Sequence, residues 1–285
     1  MNHDLLISPE QLQQLLANKS PVRIFDCTFD LTDPAVGHQQ YLESHIPGAV
    51  YAHLDTALSD KHGAGVSGGR HPLPSREKFA IWLSNVGLAN DMQAVVYDRN
   101  GANYCGRLWW MLKWAGHNSV AVLDGGLQAW QAAGSAINSG EEPTHFQTSF
   151  VLSPEIANLI ATKTVAENLG RPMQTLVDAR GAPRFRGEVE PLDPIAGHIP
   201  GALNRPFAQN MDADGKFKPA EQLKAEFETL LAGRDPASVV HHCGSGVSAV
   251  PNILAMQIAG LGMTGLYAGS WSDWCSDASR PMAQG

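Results

Sequence analysis

The chain contains one series of short motifs twice, in the same order. The paired motifs are IFDCTFD and LVDARGA, SHIPGAV and GHIPGAL, and AVVYDRNG and SVVHHCGS. Cys243 follows Arg99 by 144 residues, and Trp274 follows Trp130 by the same distance along the chain. Chance seldom preserves a constant spacing over so long a stretch. The pattern therefore predicts two copies of one domain.

A polar stretch separates the two copies. Residues 136–152 contain Pro143 and lie between the segments with regular apolar patterns. A chain of 285 residues is long for a single core and long enough for two. We predict one domain over residues 1–140 and a second, catalytic domain over residues 152–285.

Each copy alternates short apolar runs with longer amphipathic segments. The runs AVVYD, VAVLDG, TLVDA and SVVHH are typical of buried parallel strands. The segments PEQLQQLLAN, REKFAIWLSNVG, AEQLKAEFETLLAG and SAVPNILAMQIAGLG end at Asn or Gly, as helices often do. This alternation predicts an α/β fold of two tandem domains, each a mainly parallel sheet flanked by helices. In such sheets, ligands bind beyond the carboxyl ends of the strands.

Composition and charge narrow the range of partners. The formal net charge of -8 disfavours nucleic acid and anionic membranes. The N-terminal residues lack the cationic start and apolar core of a secretory signal, and no apolar run approaches the roughly 18 residues of a membrane helix. The four cysteines have no regular spacing that would suggest disulfides. We expect a cytoplasmic protein with at least one reactive thiol.

A cysteine opens the small-residue loop CGSGVS at residues 243–248, before a helix that we expect to begin near Val247. Gly244 and Gly246 permit backbone conformations and close approaches that other residues do not. The amides of residues 244–249, together with the helix N-terminus, would surround the sulfur and favour thiolate over thiol. A thiolate is a nucleophile, and the same amides would stabilise a persulfide.

Three other interpretations of this cysteine have less support. A lone cysteine after a strand is most often a core residue, but a core position does not require the GSGVS that follows. A tyrosine phosphatase loop needs an arginine six residues later, where Ala249 stands. A zinc site could use His241, His242 and Cys243, but neighbouring strand residues point to opposite faces and no second Cys/His cluster exists. We therefore predict no metal, and the motifs imply no cofactor.

The matching position of the first copy holds Arg99 instead of cysteine. Cys105 lies six residues further on and aligns with Ala249, a position predicted to face a helix core. We therefore expect the first copy to lack a nucleophile and to contribute one wall of a pocket between the domains.

The tandem HIPGA motifs, the segments LDGG and YAGSW, and the single loop cysteine of the second copy resemble the two-domain rhodanese-type sulfurtransferases. The resemblance covers nearly the whole chain. Thiosulfate-preferring members carry basic residues directly after the cysteine, whereas 3-mercaptopyruvate sulfurtransferases carry CGSGVTA. The loop CGSGVSA differs only at Ser248, which keeps the hydroxyl. The resemblance implies that Cys243 attacks the sulfur of 3-mercaptopyruvate, forms a persulfide as pyruvate leaves, and passes the sulfur to a thiol or cyanide.

The resemblance also implies which residues bind the donor. Arg184, in PRFRGEVEP, would bind its carboxylate or ketone oxygen, and Arg186 could assist. The second arginine of the family is replaced here by Leu192, for which Arg70 or Arg186 could compensate. The loop residues that would complete the donor site are Gly244, Gly246, Val247 and Ser248.

The family further suggests a serine–histidine–aspartate relay beside the cysteine. Ser245 matches directly, His71 in GRHPLP takes the histidine position, and Asp55 in HLDTALSD approximates the aspartate. His71 comes from the copy without a nucleophile, which would give that copy a part in catalysis.

Three functions remain open from the sequence. A 3-mercaptopyruvate sulfurtransferase is favoured by the neutral loop and by Ser245. A thiosulfate sulfurtransferase stays open because Leu192 replaces an expected arginine. A non-enzymatic module that binds partners or carries persulfide is disfavoured by the intact Cys243 loop. The sequence sets neither the acceptor (thioredoxin, glutathione, cyanide or another thiol), nor the oligomeric state, nor roles for Cys27 and Cys275.

Overall fold

A computed structural model describes residues 3–63 and 65–285. The chain forms two compact units. The first contains the described residues up to Ser59, with Pro74–Ile156 and Ala213–Phe217; the second contains the described part of Asp60–Leu73, with Ala157–Asp212 and Lys218–Gly285. The segment Asp60–Leu73, which carries Arg70 and His71, thus belongs to the second unit although it lies in the first half of the sequence.

The first unit is built on a parallel sheet. Its strands are β1 (Leu6–Ile7), β2 (Val22–Asp26), β3 (Val50–Tyr51), β4 (Gln93–Tyr97) and β5 (Val120–Leu123). Its helices are α1 (Pro9–Ala17), α2 (Pro34–Glu43), α3 (Arg76–Asn85), α4 (Cys105–Trp114) and α5 (Gly126–Ala132). The strands are hydrogen-bonded in the order β1-β5-β4-β2-β3, and every neighbouring pair is parallel.

Local sequence signals account for these elements. β4 is buried along its whole length, as its continuous apolar run predicts. α1 begins at Pro9 after Ser8, whose hydroxyl accepts a hydrogen bond from the amide of Gln11, while the Gln11 side chain accepts one from the amide of Ser8. Leu12 of this helix is fully buried in the apolar cluster that includes Trp130. The helix is therefore fixed both by its cap and by its apolar face.

The second unit repeats this plan. Its strands are β6 (Asn158–Leu159), β7 (Thr175–Asp178), β8 (Leu203–Asn204), β9 (Val239–His242) and β10 (Gly265–Leu266). Its helices are α6 (Thr162–Glu167), α7 (Ala182–Phe185), α8 (Ala220–Leu231), α9 (Val250–Ile258) and α10 (Ser270–Trp274), with 3₁₀ turns at Phe207–Asn210 and Pro236–Ser238. The strand order is β6-β10-β9-β7-β8, again parallel throughout.

The duplication extends to turns outside the sheets. His45 forms an antiparallel bridge with Asn138, and His198 forms one with Ala283. Each imidazole Nδ1 lies 2.8 Å from a backbone carbonyl oxygen within its own unit. These histidines therefore brace equivalent turns, and the predicted α/β fold with two parallel sheets is confirmed.

The helix after the cysteine loop begins later than the expected Val247. Residues 244–249 form bends and turns, the amide of Val250 donates to the carbonyl of Val247 at 3.2 Å, and α9 starts at Val250. Pro251 then lies in the first helical turn, where its missing amide proton and fixed φ cost least. The loop is longer than expected because proline fixes the helix start. The described helices are all too short or too polar to cross a membrane.

Candidate active site

Cys243 lies at the carboxyl end of β9, with 2% of the residue exposed. Its amide donates to the hydroxyl of Ser270 at 3.1 Å, and its carbonyl accepts from the amide of Trp271 at 3.0 Å. The carbonyl of Gly244 accepts from the amide of Ser272 at 2.9 Å. The first turn of α10 therefore holds the start of the cysteine loop in place.

Ser270 was not singled out by its sequence, yet it supports the cysteine directly. It adopts φ +56°, a left-handed conformation that costs a residue with a side chain about 1 kcal/mol. Its hydroxyl accepts from Cys243 and donates to the carbonyl of Tyr267 at 2.9 Å. The equivalent position of the first unit is Gly126, with φ +59°. The serine hydrogen bonds explain why this strained conformation persists in the second unit.

Two glycines shape the loop for different reasons. Gly246 has φ +75°, and a methyl group on its Cα would lie 2.3 Å from the carbonyl oxygen of Ala268, so no side chain fits. A methyl group on Gly244 would lie 2.9 Å from Nη2 of Arg70 and 3.6 Å from both terminal nitrogens of Arg184. The missing side chain at Gly244 thus lets two guanidinium groups approach the backbone next to the cysteine.

These two arginines are held by a shared carboxylate that the sequence did not single out. Asp193 contacts Nη1 of Arg70 through one oxygen and lies 3.3 Å from Nη2 of Arg184 through the other. Only 3% of its side chain is exposed, against 28% for Arg70 and 21% for Arg184. The guanidinium groups therefore reach solvent while the carboxylate behind them does not.

A second carboxylate extends the network inward. Glu190 accepts from Arg184 at 2.6 and 3.2 Å and from Arg180 at 3.3 Å. Burial alone would raise the pKa of the Glu190 carboxyl, but the hydrogen bond from Arg184 and those from the amides of Leu192 and Asp193 lower it below its ordinary value. Glu190 is therefore ionised at neutral pH.

Arg180 joins this network to the sheet. Its guanidinium donates to Asp178 at 2.7 Å and to the carbonyl of Gly197 at 2.7 Å, and it lies 5.0 Å from the ring centre of Trp271. Burial would lower the pKa of Arg180, but Asp178, Glu190 and Cys243 raise it above its ordinary value. A permanent cation thus lies within the electrostatic reach of the thiol.

The predicted partners Ser245 and His71 meet in the second unit. His71 Nδ1 lies 2.8 Å from Ser245 Oγ, and both residues are at least 95% buried. Asp55 belongs to the first unit, where its amide donates to Nδ1 of His53 at 3.1 Å.

Glycines allow the segment that carries His71 to pack closely in the second unit. A methyl group on Gly69, which has φ +86°, would lie 2.5 Å from the carbonyl oxygen of Gly269. A methyl group on Gly68 would lie 2.1 Å from a carboxylate oxygen of Asp273. The amide of Arg70 donates to the hydroxyl of Ser272 at 3.1 Å. The GGRH sequence therefore lies directly against the first turn of α10.

The remaining predicted donor residues differ in exposure. Val247 is buried and Ser248 is half-buried in the loop. Arg186 has 44% of its side chain exposed and is paired with Glu188 at 2.7 and 2.9 Å, while Leu192 is 40% exposed. Arg186 is thus a surface residue, whereas Arg70 and Arg184 approach the loop.

The other cysteines and the strand histidines are poorly suited to nucleophilic chemistry. Burial raises the pKa values of the Cys27, Cys105 and Cys275 thiols, so their thiolates are scarce at neutral pH. Burial lowers the pKa of His241 to about 3 and also lowers that of His242, which keeps both imidazoles neutral. Across residues 3–63 and 65–285, no cluster of three or more His, Cys, Asp or Glu side chains suits a metal ion.

The equivalent loop of the first unit contains a carboxylate. One oxygen of Asp98 accepts hydrogen bonds from the amides of Asn100 and Ala102, at 2.8 and 3.1 Å. The other oxygen accepts from the amides of Tyr104 and Cys105, at 2.8 and 2.9 Å. Four backbone amides of this loop therefore converge on one anion.

The two loops have the same backbone form at their sharpest point. Ala102 has φ +60°, and Gly246, which follows it by the same 144 residues, has φ +75°. His242 takes the position of Asp98 in the second unit, and it is a neutral residue. The loop of the first unit therefore begins with a carboxylate that its own amides bind. The loop of the second unit begins with a thiol, and the residue before that thiol is not a carboxylate.

The chain matches the rhodanese-like domain family over residues 8–133 and again over 161–277. It is 45% identical to the probable 3-mercaptopyruvate sulfurtransferase of Pseudomonas aeruginosa over the whole of both chains. It is 39% identical to the putative thiosulfate sulfurtransferase SseB of Mycobacterium tuberculosis, over 99% of this chain and 97% of that one. The solved structure of 3-mercaptopyruvate sulfurtransferase from Leishmania major gives a TM-score of 0.80 at 32% identity, covering 96% of this chain and 74% of that chain. The chain therefore belongs to the rhodanese-like family and contains two copies of its domain.

Proposed function

We propose that this protein transfers sulfur from 3-mercaptopyruvate, through a persulfide on Cys243, to a thiol or to cyanide, and releases pyruvate. The observation that carries the proposal is the approach of two guanidinium groups, Arg70 and Arg184, to the loop that begins at the buried Cys243. The names of the Pseudomonas and Leishmania relatives support the same donor.

The proposed reaction has two steps. The Cys243 thiolate attacks the donor sulfur, the carbon–sulfur bond breaks, and the electron pair passes to the carbon as the enolate of pyruvate. A proton then converts the enolate to pyruvate, and the sulfur remains on Cys243 as a persulfide. In the second step an acceptor thiolate or cyanide attacks the outer sulfur and releases the Cys243 thiolate.

We assign donor binding to the two arginines beside the loop. A guanidinium group forms paired hydrogen bonds with a carboxylate, and the ketone oxygen of the donor offers a further acceptor. Arg184 and Arg70 are partly exposed and so available to an incoming donor. Arg70 would then supply the second guanidinium in place of the arginine missing at position 192. We leave the exposed Arg186 outside the proposed site.

We assign proton transfer to the Ser245–His71 pair. The 2.8 Å contact allows His71 to pass a proton through the Ser245 hydroxyl to the departing enolate. Asp55 as a third member stays a prediction. If the pair protonates the enolate, Ser245→Ala should lower kcat/KM for mercaptopyruvate about tenfold more than for thiosulfate, whose leaving sulfite needs no such proton. Equal losses with both donors would assign the pair a structural role.

A thiosulfate donor is the second candidate. The name of the Mycobacterium relative favours it, and Leu192 removes the arginine expected of a mercaptopyruvate enzyme. Steady-state sulfur transfer to cyanide, with each donor on the same protein preparation, separates the two. A higher kcat/KM for 3-mercaptopyruvate supports the proposal, and a higher value for thiosulfate contradicts it. Transfer from neither donor would favour a non-enzymatic carrier.

We further propose that the acceptor in the cell is a thiol in a reducing, cytoplasmic compartment. All four cysteines are free thiols in the structure. A reducing compartment would keep Cys243 available and would supply small or protein thiols as acceptors. Transfer rates to glutathione and to reduced thioredoxin, compared at equal thiol concentration, would identify the preferred class.

A further inference from the structure

Asp193 contacts both proposed donor-binding arginines. One oxygen contacts Arg70 and the other lies 3.3 Å from Arg184, while 97% of the side chain is hidden from solvent. A donor that binds the exposed edges of the two guanidinium groups therefore meets cations that already carry a counter-ion.

The charges of the whole network balance. Three guanidinium groups, on Arg70, Arg180 and Arg184, face three carboxylates. The carboxylates are those of Asp178, Glu190 and Asp193. The histidine next to the cysteine, His242, adds no positive charge because burial lowers its pKa. The network thus offers many hydrogen-bond donors but no surplus positive charge.

A balanced network treats anions of different charge unequally. The single carboxylate of 3-mercaptopyruvate gains directed hydrogen bonds from the arginine forks without needing further compensation. Thiosulfate carries two negative charges, and the second one gains nothing from an arginine–carboxylate network of zero net charge while losing its hydration. Removing one buried carboxylate would compensate that second charge.

We propose that Asp193 determines donor specificity, by cancelling one positive charge of the arginine pair so that the site accepts a monoanionic donor and disfavours a dianionic one. This inference rests on the proposed function for its natural donor. Asp193 contacts Arg70 and Arg184, so we give it a role in donor specificity and in positioning these two arginines.

The test compares three variants of the full-length chain. Asp193→Asn removes the charge and keeps the shape, and Asp193→Glu keeps the charge. Glu188→Gln is the matched control, because it removes a carboxylate from the same loop at a position that is 53% exposed and paired with Arg186. We expect Asp193→Asn to raise the thiosulfate-to-mercaptopyruvate ratio of kcat/KM about tenfold, an effect of about 1.4 kcal/mol. The ratio should stay near the wild-type value in the other two variants.

A charge role and a purely structural role give different results. If Asp193 only holds the arginines in place, Asp193→Asn lowers kcat/KM for both donors by the same factor and the ratio does not move. An unchanged ratio, or an equal change in Glu188→Gln, would overturn the proposal.

A binding measurement keeps the test independent of the reaction. Calorimetry on the Cys243→Ser protein, with and without Asp193→Asn, would compare sulfate, a dianion, with pyruvate, a monoanion. We expect Asp193→Asn to increase sulfate affinity relative to pyruvate about tenfold. Equal affinity changes for the two anions would overturn the inference. A wild-type enzyme that prefers thiosulfate would instead contradict the proposed function. The effect of Asp193→Asn on the affinities for sulfate and pyruvate could still be measured.

Discussion

The two units place different groups in the same loop. In the first unit, four backbone amides bind the carboxylate of Asp98, and Arg99 follows it. In the second unit, the neutral His242 and then Cys243 take these positions. The first unit therefore demonstrates, within the same chain, that this backbone form suits an anion. Both units thus contain the same loop, and the two residues at its start determine which group lies beside the loop amides.

The units also obtain an equivalent cation from different positions. In the first unit, Arg99 lies 3.4 Å from Asp26 and donates to the carbonyl of Ser44, just before the HIPG turn. In the second, Arg180 donates to Asp178 and to the carbonyl of Gly197, at the same place relative to its own HIPG turn. Each unit thus ties a buried aspartate to this turn through one guanidinium.

The change of position affects which residue can follow β9. Arg180 follows β7, whereas Arg99 follows β4, the strand equivalent to β9. Because Arg180 supplies the cation in the second unit, the residue after β9 is no longer needed for this structural role. Cys243 can occupy that residue without leaving Asp178 unpaired.

The largest expected effect comes from removing the sulfur. Cys243→Ser should lower sulfur transfer by more than about a thousandfold, because a hydroxyl is a far weaker nucleophile than a thiolate. Steady-state transfer to cyanide measures it. Cys105→Ala is the matched control, since the equivalent residue of the second unit is already Ala249 and the fold accepts alanine there. Activity retained in Cys243→Ser, or lost in Cys105→Ala, would contradict the assignment.

A transplanted cysteine should not work in the first unit. Arg99→Cys in the Cys243→Ser background would leave the Asp98 carboxylate on the loop amides and remove the cation beside Asp26, which is fully buried. We expect no return of sulfur transfer and a loss of about 3 kcal/mol in the free energy of unfolding. Urea denaturation and the cyanide assay would measure the two. Recovered transfer would show that the first loop is not closed to this chemistry.

The carboxylate itself can be weakened without changing its shape. Asp98→Asn keeps one oxygen, which can still accept from two of the four amides. Its NH₂ group would then face the amides of Tyr104 and Cys105, which also need an acceptor. We expect the free energy of unfolding to fall by about 2 kcal/mol, with little change in kcat/KM. Asp124→Asn is a useful control at the end of β5, where the carboxylate accepts a hydrogen bond from the amide of Phe217 at 2.9 Å. A larger loss of activity than of stability in Asp98→Asn would contradict a structural role.

The smallest expected effect concerns the aspartates that end β2 and β7. Burial raises the pKa of Asp26, whereas in Asp178 the effect of burial is outweighed by the charge and the hydrogen bonds of Arg180, which lower the pKa. The Asp178 charge therefore stabilises the fold above the unfolded pKa, and this contribution is lost as pH falls through the lower folded pKa. The charge of Asp26 instead destabilises the fold, because its folded pKa is raised above the unfolded value. This destabilisation is lost as pH falls through the folded pKa.

NMR titration of the side-chain carboxyl carbons would measure both groups. We expect Asp26 to titrate above the ordinary aspartate value and Asp178 below it. Asp178→Asn should also cost roughly 1–2 kcal/mol more stability at pH 7 than Asp26→Asn, because it removes the better-compensated charge. If both carboxyl groups titrated on the same side of the ordinary aspartate pKa, the contrast between Asp26 and Asp178 would be wrong.

The repeated motifs were sufficient to predict the two parallel sheets, because apolar runs and helix ends are local signals. The glycines after Cys243 predicted a loop there but not its length, because Pro251 sets the start of α9 at Val250 rather than at Val247. The membership of Asp60–Leu73 in the second unit was not, since it depends on close packing of Gly68 and Gly69 against residues some 200 positions away. The run EPLDP gave no sign that its acids would hold arginines, because a charge pair depends on where distant backbone segments meet.

The proposed function confines sulfur chemistry to the second unit, at Cys243. The most direct test is mass spectrometry of the wild-type chain after incubation with 3-mercaptopyruvate and no acceptor, followed by peptide mapping and measurement of pyruvate. We expect one added sulfur atom per chain, on Cys243, and one pyruvate released for each. Sulfur on Cys27, Cys105 or Cys275, or pyruvate released with Cys243 unmodified, would contradict it.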